Sequence, residues 1–210
     1  MRRYLEGSGE PLEVDVGKLL RDEPAFQLRS RATLQTFIDG IEVRIRDQYR
    51  GQPLSFQVTS PWMEAPYATS QNWYYAMGGY SYAYSAEVNV TTPLTPDASP
   101  TVEVQYQMHT WDYYYWDKGK SVTIPRPTLP GTDVPVSLPI PQEYQPHITE
   151  VGDSWHVKDT ALARLHLTGL AREYEISGPT ELIRLNFALD PTSGQLTPST
   201  VPLEGPPAGR

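Results

Sequence analysis

His109, Asp112 and Asp117 fall within one short stretch and are followed by Lys118 and Lys120. One imidazole and two carboxylates are the groups that hold a divalent cation or divide the work of general acid and base. A plainer reading is an exposed strand end followed by a turn, because Asp and Gly in Trp116-Asp117-Lys118-Gly119-Lys120 are ordinary turn residues. A second titratable group is His166 with Arg172, Glu173 and Glu175 nearby in sequence. A histidine one turn before a helix C-terminus is favoured by the helix dipole, which explains His166 without any catalytic role. His147 and His156 sit in loop-like contexts. The candidate catalytic residues are therefore His109, Asp112, Asp117 and His166. No metal is assigned and no cofactor is implied. The chain has no Gly-rich phosphate loop, HExxH, GxSxG or EF-hand spacing. It has no cysteine, which excludes disulfides, thiol nucleophiles and zinc–thiolate sites.

The aromatic residues offer a different chemistry. Residues 62–116 contain ten of the 14 tyrosines and four of the five tryptophans. Each such ring joins a large apolar body to one polar atom, and so serves either a sheet core or a stacking surface for a ligand. Tyr113, Tyr114 and Tyr115 are consecutive, so in a strand they cannot all face one core. Trp62 and Trp73-Tyr74-Tyr75 add more rings than one sheet face needs. The candidate ligand-binding residues are Trp111, Tyr113, Tyr115, Trp116 and Lys118. Against this stands a two-sided core with loops covering the second face.

Several elements must position these residues. Asp15 caps a short helix over 16–21, and Pro24 suits the first turn of a longer one. Leu34, Phe37, Ile38, Ile41 and Ile45 form one apolar stripe along it, with Gly40 a weak point. The period then changes to two. Residues 54–59 read as a strand. Tyr80 to Val90 and Val102 to Met108 alternate apolar with polar, and the Pro/Thr/Asp-rich 92–100 joins them as an antiparallel hairpin. One apolar and one polar face imply a sheet covered on one side, with the helical stripe as cover. Seven prolines between 125 and 146 argue against a regular strand there, except for a short edge strand at 134–138. Asp159 is the expected N-cap of a helix over 160–168 stopped by Gly169, with Leu162 and Leu165 inward. Two strands, 171–177 and 181–189, are expected around Gly178-Pro179.

Together these give an α+β fold: an N-terminal helical segment on a twisted, mainly antiparallel sheet, with one short late helix. Domain limits are 1–190 for a single domain, including the Pro-rich excursion 125–146. Residues 191–210 read as a disordered Pro-rich tail. The net charge of −8 arises outside residues 1–50, whose nine basic and nine acidic side chains cancel. An acidic surface argues against nucleic acid, which is bound through Lys/Arg clusters. No run reaches the roughly 20 apolar residues of a membrane helix. Met1-Arg2-Arg3 lacks the apolar stretch of a secretory signal, leaving a cytoplasmic place or export by a signal-peptide-independent route.

Three pieces in order resemble a C-terminal module of actinobacterial secreted or polymorphic-toxin-type proteins. They are Arg3-Tyr4-Leu5-Glu6-Gly7-Ser8-Gly9-Glu10-Pro11, then Tyr106 to Ser121, then Leu165-His166 with Leu170-Ala171-Arg172-Glu173-Tyr174. The resemblance covers roughly residues 2–178 and implies a domain released from, or derived from, an export-linked multidomain protein, with no established activity to carry over. Asp112-x-Tyr114 also resembles the start of the colicin M active-site motif. Tyr115 stands where that family has Asp, and its later His-Arg pair has no counterpart, so lipid II hydrolysis does not transfer. Three functions follow as expectations. The first is an interaction module of an export-associated or toxin/immunity-type bacterial protein, binding protein or glycan through aromatic residues. The second is a small toxin hydrolase using His109, Asp112 and Asp117. The third is a purely structural domain. Oligomeric state is not legible.

Overall fold

In a computed structural model of the chain, residues 7–93, 95, 98–116, 119, 121–126, 128–134, 142 and 148–198 are described. Composition gives one domain over 1–190; the contacts form two compact units. One comprises 13–112 with the chain from 177 onward, the other the first twelve residues with 113–176. The fold class is α+β, with N-terminal helices on an antiparallel sheet and a short late helix.

The larger unit starts with helix α1 (Val16–Asp22), capped as expected by Asp15, whose carboxylate accepts Lys18 N–H at 2.8 Å. Glu23 then serves two helices. Its N–H donates to Leu19 O, ending α1, and its carbonyl accepts Gln27 N–H, starting α2 (Pro24–Gln48). Pro24 at the first position gives up an N–H that had no helical partner. Gly40 does not break α2, since the position faces open space and the stripe on the other side is buried: Phe37, Ile38, Ile41 and Ile45. At its C-terminus the Arg50 guanidinium donates to the carbonyls of Asp47 (2.7 Å) and Tyr49 (2.8 Å).

Strands β2 (Leu54–Thr59), β3 (Met63–Glu64), β4 (Ser81–Thr91) and β5 (Thr101–Tyr114) follow, with the short helix α3 (Gln71–Ala76) between β3 and β4. The β4/β5 hairpin has the expected register: Tyr84 opposite Met108, Ala86 opposite Tyr106, Val88 opposite Val104 and Val90 opposite Val102. All eight side chains are buried. Helix α2 covers them. Phe26 meets Tyr80 and Tyr82 edge-on at 5.1 and 5.2 Å, and Phe37 stacks on Tyr84. Tyrosine serves here because α2 supplies partners for the hydroxyls: Tyr84 OH donates to Ser30 O at 2.7 Å, and Tyr82 OH meets Thr33 Oγ1 at 2.8 Å. Burial pushes the Tyr84 phenol well above its ordinary pKa.

The opposite face of this sheet is polar. Gln57, Glu87, Gln105 and Arg184 form one cross-strand row; Ser55, Asn89, Glu103 and Asn186 form the next. Strand β2 pairs only with β4 among the described residues. On its free side Arg44 of α2 lies over the Phe56 ring, 4.1 Å from its centre, and donates to Gln57 O at 3.2 Å.

Strands β9 (Tyr174–Pro179) and β10 (Ile183–Leu189) lie along β5 on the side away from β4. Gly178-Pro179 therefore belongs to a strand, and the break falls at 180–182. There Thr180 N–H donates to Met108 O, while Met108 N–H turns to Thr180 Oγ1 instead of a carbonyl, as at a bulge. Gly178 is required: a Cβ would stand 2.2 Å from Val14 O. Composition predicts disorder from 191, but residues 191–198 form a turn and a strand. Residues 190–195 make a turn around the Asp190 carboxylate, and β11 (Leu196–Pro198) pairs with β10. The remainder of that tail lies outside the described residues.

The smaller unit has a three-stranded antiparallel sheet in the order β6 (Ser121–Pro125), β8 (Ser154–Lys158), β7 (Ile148–Val151). Helix α4 (Asp159–Leu167) packs on it. Val157, Ala161 and Leu162 form the core, with Trp116, Ile124, Trp155 and Leu165 against them. The N-cap is Lys158, not Asp159, which occupies the first helical position. Gly169, at φ +76, stops α4 as expected, with Leu170 N–H reaching back to Leu165 O. Strand β1 (Leu12–Glu13) lies beside β9 at the border of the eight-stranded sheet. Most of the Pro-rich excursion, including nearly all of the expected edge strand at 134–138, lies outside the described residues.

Candidate functional site

His109 lies on the polar face of the larger unit, as its parity in β5 requires. Its Nε2 is 2.7 Å from Ser85 Oγ on β4. Ser85 and His109 are diagonal neighbours, since Ser85 stands opposite Gln107. The pair sits mid-strand. Ser85 is flanked by Thr59 on one side and Gln107 on the other, so its peptide N–H belongs to the ladder and cannot stabilise an oxyanion. Asp112 ends the larger unit's share of β5, half-buried. Asp117 and Lys118 lie outside the described residues, as does His147. Among the described residues no three His, Asp or Glu side chains are grouped to hold a metal ion.

His166 belongs to the smaller unit. Its Nδ1 accepts Glu173 N–H at 3.3 Å and its Nε2 lies 3.9 Å from Glu173 Oε2. The ring thus ties the end of α4 to the chain leaving it, which is a structural duty. His156 is not in a loop; it is an exposed residue of β8, between Thr123 and Thr149.

The aromatic run divides by parity. Trp111, in the larger unit, is 42% exposed; Tyr113 and Tyr115, in the smaller, are 40% and 53% exposed. The Tyr113 and Tyr115 rings are 6.3 Å apart and tilted by 34°. Tyr114 and Trp116 face the other way. Tyr114 stacks on Tyr174 at 4.9 Å and 13°, and meets Trp116 edge-on at 5.7 Å. Trp116 is therefore part of the packing around α4 and not of the exposed surface.

A second set of exposed rings belongs to the larger unit. Trp62, Tyr67, Tyr74 and Tyr75 are each more than half exposed, on the segment leading through α3. Two adjacent carboxylates at the α1/α2 junction hold this segment. Asp22 accepts Trp73 Nε1–H at 2.8 Å, and Lys18 lies over the Trp73 ring. Glu23, 1% exposed, accepts Thr69 N–H, Thr69 Oγ1–H and Ser70 N–H at 2.8, 2.8 and 2.9 Å. Nothing local in the sequence marks Glu23 for this, because its partners are 46 and 47 residues away. A shallow depression at the α2 C-terminus, lined by Arg46, Tyr49, Thr192 and Ser193, holds one carboxylate, Asp190. Both oxygens of Asp190 are taken by Thr192 N–H and Ser193 Oγ.

No known protein family, curated protein or solved structure matches this chain.

Proposed function

We propose that the chain is an interaction module that binds a protein or glycan partner through exposed aromatic rings. The observation that carries this reading is the strand end at 113–115. Inward-facing Tyr114 is stacked on Tyr174, so the backbone is fixed there, and Tyr113 and Tyr115 are presented side by side to solvent. Rings ordered before binding lose little conformational entropy on contact, which is why Tyr and Trp dominate recognition surfaces. The resemblance to toxin-type modules supports a parent protein that is export-linked.

The test is quenching of intrinsic fluorescence by cellohexaose, chitohexaose and maltohexaose, with and without Tyr113→Ala and Tyr115→Ala. Saturable quenching lost in the double variant at unchanged Tm supports a glycan. Silence from all three sugars removes the glycan branch and leaves a protein partner.

A second reading, a small hydrolase, has one geometric support: the Ser85–His109 contact, in which imidazole could take the hydroxyl proton. Turnover of p-nitrophenyl acetate that disappears in Ser85→Ala and His109→Gln would establish it. The ladder around Ser85 offers no oxyanion donors, which favours the interaction module.

A further inference from the structure

We propose that the Glu23 carboxylate is a latch for the ring-bearing segment 65–76: ionised, it holds the segment closed; neutralised, it lets the segment open while the sheet stays folded. That this segment's rings take part in binding rests on the reading above; the latch does not.

The segment has little else to hold it. Helix α3 has six residues and buries none of them, leaving Ala68 and Met77 as the buried apolar anchors. Tyr67, Tyr74 and Tyr75 point to solvent. Backbone bonds from Ala65 N–H to Tyr80 O and from Ala68 N–H to Gly78 O close the base of the segment on itself. Its attachment to the helices is polar: three donors on Glu23 and the Trp73 indole on Asp22. Hydrogen bonds to a buried charge are the strong kind, and losing the charge leaves N–H groups facing a poor acceptor. An element with few buried apolar contacts and concentrated polar ties opens locally at lower cost than the sheet beside it.

The groups facing Glu23 set the direction of its pH response. Tyr80, just before β4, is raised in pKa by burial and then by the Glu23 charge, and its buried hydroxyl has no hydrogen-bond partner among the described residues. On α1, Asp22 is held ionised by its hydrogen bonds from Lys18 and Trp73, and Lys18 balances its charge. Burial pushes the Glu23 carboxyl up, and the donors of Thr69 and Ser70 pull it down by more, to below its ordinary value. A carboxyl depressed in the folded state contributes stability above its unfolded pKa and loses it as pH falls through the folded one. The segment therefore stays closed at neutral and mildly acidic pH and opens only in stronger acid.

Hydrogen exchange on the full chain at pH 7, read by mass spectrometry, tests the latch without any ligand. In Glu23→Gln, peptides covering 65–76 should exchange about tenfold faster than in wild type, with β4 and β5 peptides unchanged. Thr69→Val, at an exposed position, removes one of the three donors and should give about a threefold rise. It decides the matter alone if Glu23→Gln does not fold. Equal rates at 65–76 overturn the proposal. So does a parallel rise in β4 and β5, which would make Glu23 a support of the whole unit instead of a latch.

Discussion

Gly178 and Val14 meet so closely that a single methyl group separates tolerance from strain. The contact to Val14 O is with backbone, which cannot swing aside, and Val14 N–H is already bonded to Ser177 O at 2.9 Å. Gly178→Ala should cost about 1–3 kcal/mol by overpacking, seen as a lower Tm with unchanged circular dichroism. Position within the hairpin decides the next pair. Val104 is fully buried, so Val104→Asp places an unpaired carboxylate in the core and should abolish cooperative melting. Glu103, on the polar face beside Gln105, should tolerate alanine within about half a kcal/mol. Equal costs for the two would mean that the faces are assigned wrongly. At this scale the sequence was partly legible. That three consecutive tyrosines cannot share one face was readable; that Trp116 falls with Tyr114 on the packed side, against Val157, Ala161 and Leu162, was not, because those partners lie about forty residues on. Glu23 was illegible because its duty is a long-range one with no local pattern.

Elements with strong periodicity were readable: α2 from its apolar stripe, β2 from its bounds, β4 and β5 from alternation. The stripe overrode the weak point at Gly40 because four buried side chains outweigh the roughly 1 kcal/mol cost of a helical glycine. Helix α3 escaped notice because Trp73-Tyr74-Tyr75 suggests strand propensity, and no buried face imposes a period. Strands β6, β7 and β8 are short, and the proline-rich stretch separates β6 from its partner by about thirty residues of intervening chain. Strand β11 was hidden by composition. It pairs with β10, Leu196 N–H reaches Glu42 Oε2 at 3.3 Å, and Gly194 packs on the Arg46 stem. Truncation after Asp190 should therefore lower Tm by several degrees, as the loss of about 1–2 kcal/mol would in a domain of this size. An unchanged melting curve would show that β11 contributes nothing.

For the whole molecule, the division into two units follows the chain's own path. It leaves the larger unit after Asp112 and returns at Ser177. Within the larger unit Thr110 Oγ1 donates to Gly178 O, and Thr180 N–H to Met108 O. Strands β5 and β9 are neighbours in the sheet, so residues 112 and 177 end adjacent strands that a short turn can join. Replacing 113–176 by Asn-Gly should give a folded protein with one cooperative transition. An aggregated or molten product would show that the larger unit depends on the part removed.

The guanidinium of Arg44 over β2 also has a consequence for life at high concentration. A strand bonded on one side offers its other side as a template on which further copies can add. Arg44 occupies one of those free carbonyls, at Gln57, and covers the neighbouring Phe56 ring with charge. Arg44→Ala should therefore leave the monomer folded but raise its tendency to form fibrils, measured by light scattering and thioflavin fluorescence over days. One side chain, spent on the border of a sheet, would then keep the molecule from becoming its own seed.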